Sequence, residues 1–424
     1  MSRAPIVSRN AARATERAAP LIREGRWWDD LPLDFARTRE PFELGRGDRL
    51  RVSATAITDV ALRTAGASLV SALALPVGYH PLRLRQALRD LDFYGPIAER
   101  GDASAFFVAP LHGVRVEAGP ARWFPRFEPE DGTCEALSFD SPFQPVNPAQ
   151  HRSYLRHRDN HRVRARYWRH HDGPRPTILA LHGFTADFYL INEWFFALPW
   201  FYRMGCDVLL MTLPFHGERQ TRHSPFSGHG YFAGGPSRIN EAAAQSVYDA
   251  RVLVDWLLEA RRVPAVGAMG VSLGAFTTAL LAAAEPRLAF AVPIVPVTSL
   301  ADLVLEWQPI GVLLNGALAA VRKDLRVARR MLAVTCPLTY PPALPRDRLM
   351  IVAGVGDRLA PPKHSRVLWD HWDRPRIHWF PGSHLLHMDR GEYMVEIARF
   401  LHDLDFLEPN ALADSEPPPR SLPR

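Results

Sequence analysis

Ser272 stands between two glycines in Gly270-Val271-Ser272-Leu273-Gly274, where the apolar run AVGAMG gives way to the alanine-rich stretch LGAFTTALLAAA. A hydroxyl at such a junction contributes little to packing, and two glycines there cost backbone entropy on ordering. The same pattern is what a nucleophilic hydroxyl needs. A strand delivers it, a sharp turn lifts Oγ above the sheet edge, and the N-terminus of the next helix favours developing negative charge. An unaided serine is a weak nucleophile, so a base and an orienting carboxylate must be found downstream. Asp357, in LMIVAGVGDRLAPP, and His384, in HWFPGSHLLH, both fall in loops just past the carboxyl end of an apolar run. With seventeen histidines in the chain, position has to discriminate. His378 lies inside its strand and His387 one turn too far along. Asp373 precedes the last strand, at the wrong edge of the sheet. Asp357 and His384 follow the serine in the order Ser, Asp, His. The run LALHGFTAD puts His182-Gly183-Phe184 after another strand, where a loop can aim a backbone N–H at the serine; the N–H of Leu273 is the second donor. His182 itself reads as shaping that loop.

These residues need a scaffold that brings strand ends to one edge. From about residue 130 the chain supplies it. EALSFD and HRVRARYWRH read as strands, followed by TILALHG, DVLLMTLP, AVGAMG, AFAVPIVP, RLMIVAG and RIHWFPG. Helical patterns near 189–203, 240–260, 273–284, 363–372 and 391–404 separate the later ones. Short apolar strands alternating with helices predict a mostly parallel sheet covered on both faces, with function at the carboxyl ends of its strands. Residues 1–125 carry helical patches without that rhythm and show no chemistry of their own. They read as a helical extension that packs on the main domain or mediates oligomer contacts. Residues 126–408 form the main domain, with an insert at 298–345 longer than a connection needs. The proline-rich tail 409–424 reads as disordered.

With this order and placement in hand, the chain resembles the α/β-hydrolase superfamily between about residues 130 and 405. The loop LPFHGERQTRHSPFSGHGYFAGG is similar to one in a poorly characterised bacterial branch with a long N-terminal extension. The resemblance implies a twisted α/β sheet, Ser272 as nucleophile, His384 as general acid/base, Asp357 as its orienting carboxylate, and Phe184 and Leu273 as backbone oxyanion donors. It implies no cofactor and no metal. His-Gly-Phe in place of an HGGG run separates the chain from the hormone-sensitive-lipase-like branch. Serine in the elbow separates it from haloalkane dehalogenases and epoxide hydrolases.

The chain has 424 residues, 47% of them hydrophobic and 23% charged, ordinary values for a globular protein with a large core. Its net charge of +6 is almost all arginine, spread along the chain without a block interleaved with aromatics, so nucleic acid is not an expected partner. Cys134, Cys206 and Cys336 are too far apart for a disulfide framework or a zinc site. The arginine-rich N-terminus lacks the apolar core of a secretory signal, and no run is long enough for stable membrane insertion. A cytoplasmic serine hydrolase acting on small acyl esters, carboxylesterase- or lipase-like, is the expectation. A peptidase or an acyltransferase would use the same three side chains, and a hydrolase-fold binding protein would need none of them. Around the site, Phe184 and Phe188 read as candidates to line an acyl pocket. The insert, apolar and then basic, reads as a cap with its basic part toward solvent or an anionic headgroup. His216, Arg219 and Arg222 are candidate ligands for a substrate anion, with solvated loop charges as the alternative.

Overall fold

The computed structural model describes residues 26–73, 81–121, 127–320, 322–408 and 411. All but one residue of the tail read as disordered lies outside them, as does the arginine-rich start. Nine strands form one sheet: β1 (Glu117–Pro120), β2 (Gly132–Asp140), β3 (Arg162–His170), β4 (Thr177–Leu181), β5 (Asp207–Met211), β6 (Val266–Val271), β7 (Ala291–Ile294), β8 (Met350–Gly354) and β9 (Arg376–Phe380). Their order is β1-β2-β3-β5-β4-β6-β7-β8-β9, antiparallel from β1 to β5 and parallel thereafter. This is the mostly parallel sheet that the apolar runs predict. Alternate residues of each run feed opposite faces. Leu179, Leu181, Leu209 and Met211 enter one core, whereas Ile178, Ala180, Val208 and Leu210 enter the other.

The main helices are α1 (Arg46–Leu73), α2 (Pro81–Arg100), α3 (Tyr189–Phe195), α4 (Leu198–Arg203), α5 (Pro236–Asp255), α6 (Leu273–Ala284), α7 (Leu300–Glu306), α8 (Ile310–Ala320), α9 (Leu325–Met331), α10 (Pro362–His371) and α11 (Arg390–Asp403). The single helix expected over 189–203 is two. Ala197 adopts a left-handed φ of 50°, and Pro199, in the first turn of α4, has no N–H to carry a helix through the break. Helix α5 departs further from its apolar-face reading, because Asn240, Glu241, Gln245 and Asp249 are as fully buried as its aliphatic residues. The side of α5 away from the sheet is covered. Tyr94 of α2 donates to Glu241 (2.6 Å), Tyr154 donates to Gln245 (2.7 Å), and Arg219 binds Asp249 (2.6 Å). Residues 26–110 pack Trp27, Trp28, Phe35, Tyr94, Phe106 and Phe107 into the same core as α5 and α6. The segment read as a helical extension also contributes a strand, β1, to the edge of the sheet.

Helices α7 to α9 occupy the long connection between β7 and β8, with a small core of Ala301, Leu318, Leu325 and Ala328. Trp307 Nε1 donates to the carbonyl of Leu359, which ties this insert to the loop after β8 (3.2 Å). Its basic stretch does not simply face outward. Arg329 is fully buried, paired through two nitrogens with Asp302 (2.7 and 2.9 Å), and donates to the carbonyl of Pro32 (2.8 Å). An arginine fork matches both carboxylate oxygens, which a surface reading of RVARRM could not anticipate. Among the described residues no single helix is long and apolar enough to cross a membrane; α7 and α8 pass that test only as a bent pair. The three cysteines are buried and free.

Removing one partner of the buried pair strands the other charge. Arg329→Leu is expected to cost at least ~3 kcal/mol of unfolding free energy, measured by denaturant titration. Arg330→Leu, which breaks only a surface pair with Glu99, should cost less than ~1 kcal/mol. Similar losses for the two variants would show that the buried pair is not holding the insert.

Candidate active site

Strand β6 turns into α6 with no intervening loop, so the residue at the junction must reverse direction alone. That residue is Ser272, with φ 54° and ψ −111°, a conformation L-residues seldom adopt. Its neighbours must be glycine. A Cβ on Gly270 would lie 2.3 Å from the carbonyl oxygen of Gly274, and one on Gly274 would lie 1.9 Å from that of Leu181 at the end of β4. The serine N–H is anchored to the carbonyl of Ile294 on β7 (3.0 Å), which leaves Oγ half-buried above the carboxyl edge of the sheet.

Two further loops meet it there. Asp357, in the turn after β8, is buried. Its Oδ1 accepts the N–H groups of Leu359 (2.9 Å) and Ala360 (2.7 Å), which fixes the carboxylate plane. Its Oδ2 accepts Nδ1–H of His384, from the loop after β9 (2.7 Å). That bond places the proton on Nδ1, so Nε2 is free to accept the hydroxyl of Ser272 (2.9 Å). Burial alone would depress the imidazole. The charge and hydrogen bond of Asp357, with a further contribution from Asp59, outweigh it and hold His384 above its ordinary value. The structure therefore brings together Ser272, Asp357 and His384.

Leu273 opens α6, and its N–H belongs to the first helical turn, where no preceding carbonyl of the helix can accept it. The His182-Gly183-Phe184 loop runs beside the serine; a Cβ on Gly183 would lie 3.5 Å from that of Ser272. His182 is a strut, donating from Nδ1 to the carbonyl of Gly183 (2.8 Å) and accepting Leu213 N–H at Nε2 (3.0 Å). His387 braces the other side. Its Nε2–H donates to the carbonyl of His384 (2.9 Å), while Nδ1 accepts from Tyr393 (2.8 Å). Asp373 lies far from all of this, 90% exposed and loosely paired with Arg346.

Other readings of the surroundings change. Arg219 is no anion ligand. It is fully buried and saturated by the carbonyls of Asn160 and Thr212 and by Asp249. His216 is buried with Nδ1 on the carbonyl of Pro214, and burial holds it neutral; Arg222 is exposed. Phe184 packs edge-on against Phe226 and Phe232, whereas Phe188 stands exposed. One residue escaped the sequence reading altogether. Asp59 of α1 is buried against the His384 and Asp357 loops, its carboxylate accepting N–H groups from both. The available signal was its isolation, since no other acid occurs between Asp48 and the end of α1. Among the described residues, no group of three or more His, Cys, Asp or Glu side chains is arranged to hold a metal ion.

No family model matches the chain. Uncharacterised proteins from two strains of Mycobacterium tuberculosis are 29% identical to it over 318 residues, covering 69% of this chain and 68% of theirs. In structure it is similar to acetyl xylan esterase 1 of a Thermoanaerobacterium species, with a TM-score of 0.51 and 16% identity over 74% of this chain and 93% of the other. An acetyl xylan esterase of a Paenibacillus species gives a TM-score of 0.50 and 14% identity, with the same coverage. At such identities the likeness is one of fold.

The histidines around the site give a test of this packing. Burial pushes His378 down to about 4 and His387 to about 3. Below the ordinary value near 6.5 the unfolded chain binds protons that these folded sites refuse, so stability should fall as pH drops from about 6.5 toward 4. His384 has the opposite sign: its contribution is present at low pH and fades as pH rises through its raised value. Denaturant unfolding at several pH values should show the acid-side loss, and His378→Phe should make it shallower. An unchanged slope in that variant would mean His378 is not held neutral by burial.

Proposed function

Given a chain with the α/β-hydrolase fold, we propose that it is a serine hydrolase that cleaves carboxylic esters through an acyl-enzyme intermediate. The observation that carries this reading is the unbroken hydrogen-bonded chain from Ser272 through His384 to Asp357, mounted on a strained strand-to-helix turn. As Oγ attacks the acyl carbon, Nε2 of His384 takes its proton, and the imidazolium that forms is stabilised by Asp357. The carbonyl oxygen gains negative charge next to the N–H groups of Leu273 and Phe184, each worth about 2.7–4 kcal/mol in comparable sites. The histidine then protonates the leaving alkoxide as its C–O bond breaks. A water, deprotonated by the same nitrogen, attacks the acyl carbon; the bond from that carbon to Oγ then breaks as His384 returns the proton to Ser272, and the acid is released. No cofactor or metal enters these steps. Both structural neighbours are acetyl xylan esterases, which supports an ester rather than an amide as the substrate class.

We take the substrate side of the site to be apolar. Phe188 after the β4 loop, Leu385, Leu386 and Met388 after His384, and Leu313 of α8 are all exposed. We assign this rim to a small acyl ester, carboxylesterase- or lipase-like, rather than to a polar substrate. Leu305, by contrast, packs into the insert's own core.

A fluorophosphonate probe should label intact protein at Ser272, as mapped by mass spectrometry, and Ser272→Ala should abolish both labelling and ester turnover without unfolding the chain. Asp357→Asn should lower kcat by as much as ~10⁴-fold, with Asp373→Asn unchanged; the reverse ranking would mean another carboxylate orients the base.

A p-nitrophenyl ester series tests the rim. Each buried CH₂ is worth about 0.8 kcal/mol, so kcat/KM should climb with acyl length until the pocket fills. Leu313→Ser should flatten that climb at an unchanged melting temperature. Leu305→Ser should lower the melting temperature and leave the profile's shape alone. A Leu313→Ser profile parallel to wild type would remove α8 from the acyl site.

A further inference from the structure

Asp59 is fully buried on α1, more than two hundred residues before the serine in sequence, yet it touches both loops that complete the site. Its Oδ2 accepts the N–H of His384 (2.8 Å) and the N–H of Arg358 (3.0 Å), the residue after Asp357. Its Oδ1 receives a longer bond from Leu385 N–H (3.4 Å). One turn further along α1, Arg63 donates from Nη1 to the carbonyl of Arg358 (2.9 Å). The peptide that follows the orienting carboxylate is thus gripped at both ends by one helix.

Helix packing alone does not call for this arrangement. A buried carboxylate costs several kcal/mol unless its lone pairs are satisfied, and an aliphatic side chain would fill the position without that cost. The donors that satisfy Asp59 come from the loops after β8 and β9, just past the last backbone bond between them, from Gly356 N–H to the carbonyl of Gly382 (2.8 Å). We propose that Asp59 is a positioning residue for hydrolysis, clamping the His384 loop to the Asp357 loop so that imidazole and carboxylate stay aligned on Ser272. The assignment rests on the serine-hydrolase reading above. It adds an electrostatic role, because a second negative charge beside His384 favours the imidazolium formed when Ser272 loses its proton. The charged groups acting on that ring are Asp357 from the β8 loop and Asp59 from α1, with His387 beside it on its own loop and Arg63 of α1 held at the Arg358 carbonyl.

Asp59→Asn keeps the shape and one acceptor while removing the charge. Small displacements of catalytic groups commonly cost on the order of 10- to 100-fold. The expectation is a kcat loss of that order with KM changed less than about twofold. The acid limb of kcat should move to lower pH, because a charge that raises the His384 pKa has gone. The titration of the His384 ring, followed by NMR on ¹⁵N-histidine-labelled full chain, should move the same way, and Asp59→Glu should recover part of both. Asp48→Asn, elsewhere on α1, should change neither. A folded Asp59→Asn protein with wild-type kcat and an unmoved His384 titration overturns the proposal. So does a variant whose only change is a lower melting temperature. Should Asp59→Asn not fold, Arg63→Ala loosens the same clamp from the Arg358 side. A fall in kcat there supports the clamp, and an unchanged kcat and titration overturns it. Failure of the wild-type chain to take a fluorophosphonate would instead sink the hydrolase reading, while the NMR titration still reports on Asp59.

Discussion

The first turn of α6 presses against the end of β4 so closely that only glycine fits at position 274, with the carbonyl of Leu181 inside the space a methyl would need. Most of the site follows from that contact. A helix brought so near the sheet leaves no room for a loop, so Ser272 must make the reversal alone, with positive φ. Such a conformation costs about 1–3 kcal/mol. Phe276, Leu280 and Leu281 of the same helix are buried in the core, and each contributes about 1.5–3 kcal/mol. The helix wins, and the strain remains at the serine. The same closeness sets the β4 loop beside the serine, with a Cβ at Gly183 falling at contact distance, 3.5 Å, from that of Ser272.

The parts of the site made by strand ends could be read before any coordinates. Apolar runs, their order and the loops after them identify Ser272, Asp357 and His384 as neighbours, because a parallel sheet gathers its carboxyl edges whatever the details of its helices. The histidine choice follows the same logic. His378 belongs to β9 and is sealed in, while His387 supports the backbone of His384. What stayed hidden depends on contacts between segments remote in sequence. Arg219 and Arg329 carry charge and sit in polar-looking stretches, yet each is buried because a distant carboxylate and distant carbonyls receive it. The partners of Asp59 stay hidden for the same reason, since nothing in SATAITDVALRT indicates which backbone amides meet its carboxylate. The break at Ala197 was legible in principle from the Leu198-Pro199 step.

Helix α5 shows how far the two halves of the chain depend on one another. In a sheet flanked by helices, the outward side of such a helix ordinarily meets water and carries polar residues for that purpose. Here the polar residues remain, but their water has been replaced by Tyr94, Tyr154, Ser141 and Arg219. Burial raises the Glu241 carboxyl to about 7 even with Tyr94 and the amides of Val146 and Asn147 donating to it. The main domain is therefore not a free-standing unit with an appendage. Its core is shared with Trp27, Trp28, Phe35, Tyr94, Phe106 and Phe107.

The bond from His384 N–H to Asp59 joins positions 325 residues apart. On a ribosome, α1 emerges early, and its carboxylate has none of these partners until the loop after β8 has been synthesised and not the full set until the loop after β9. Contacts that span so much chain carry a large loop-closure cost and form late. Newly made protein thus passes through a long interval with Ser272 already translated but its hydrogen-bond partner His384 not yet made, and the chain of bonds from Ser272 to Asp357 waits until almost all of the described chain has been made.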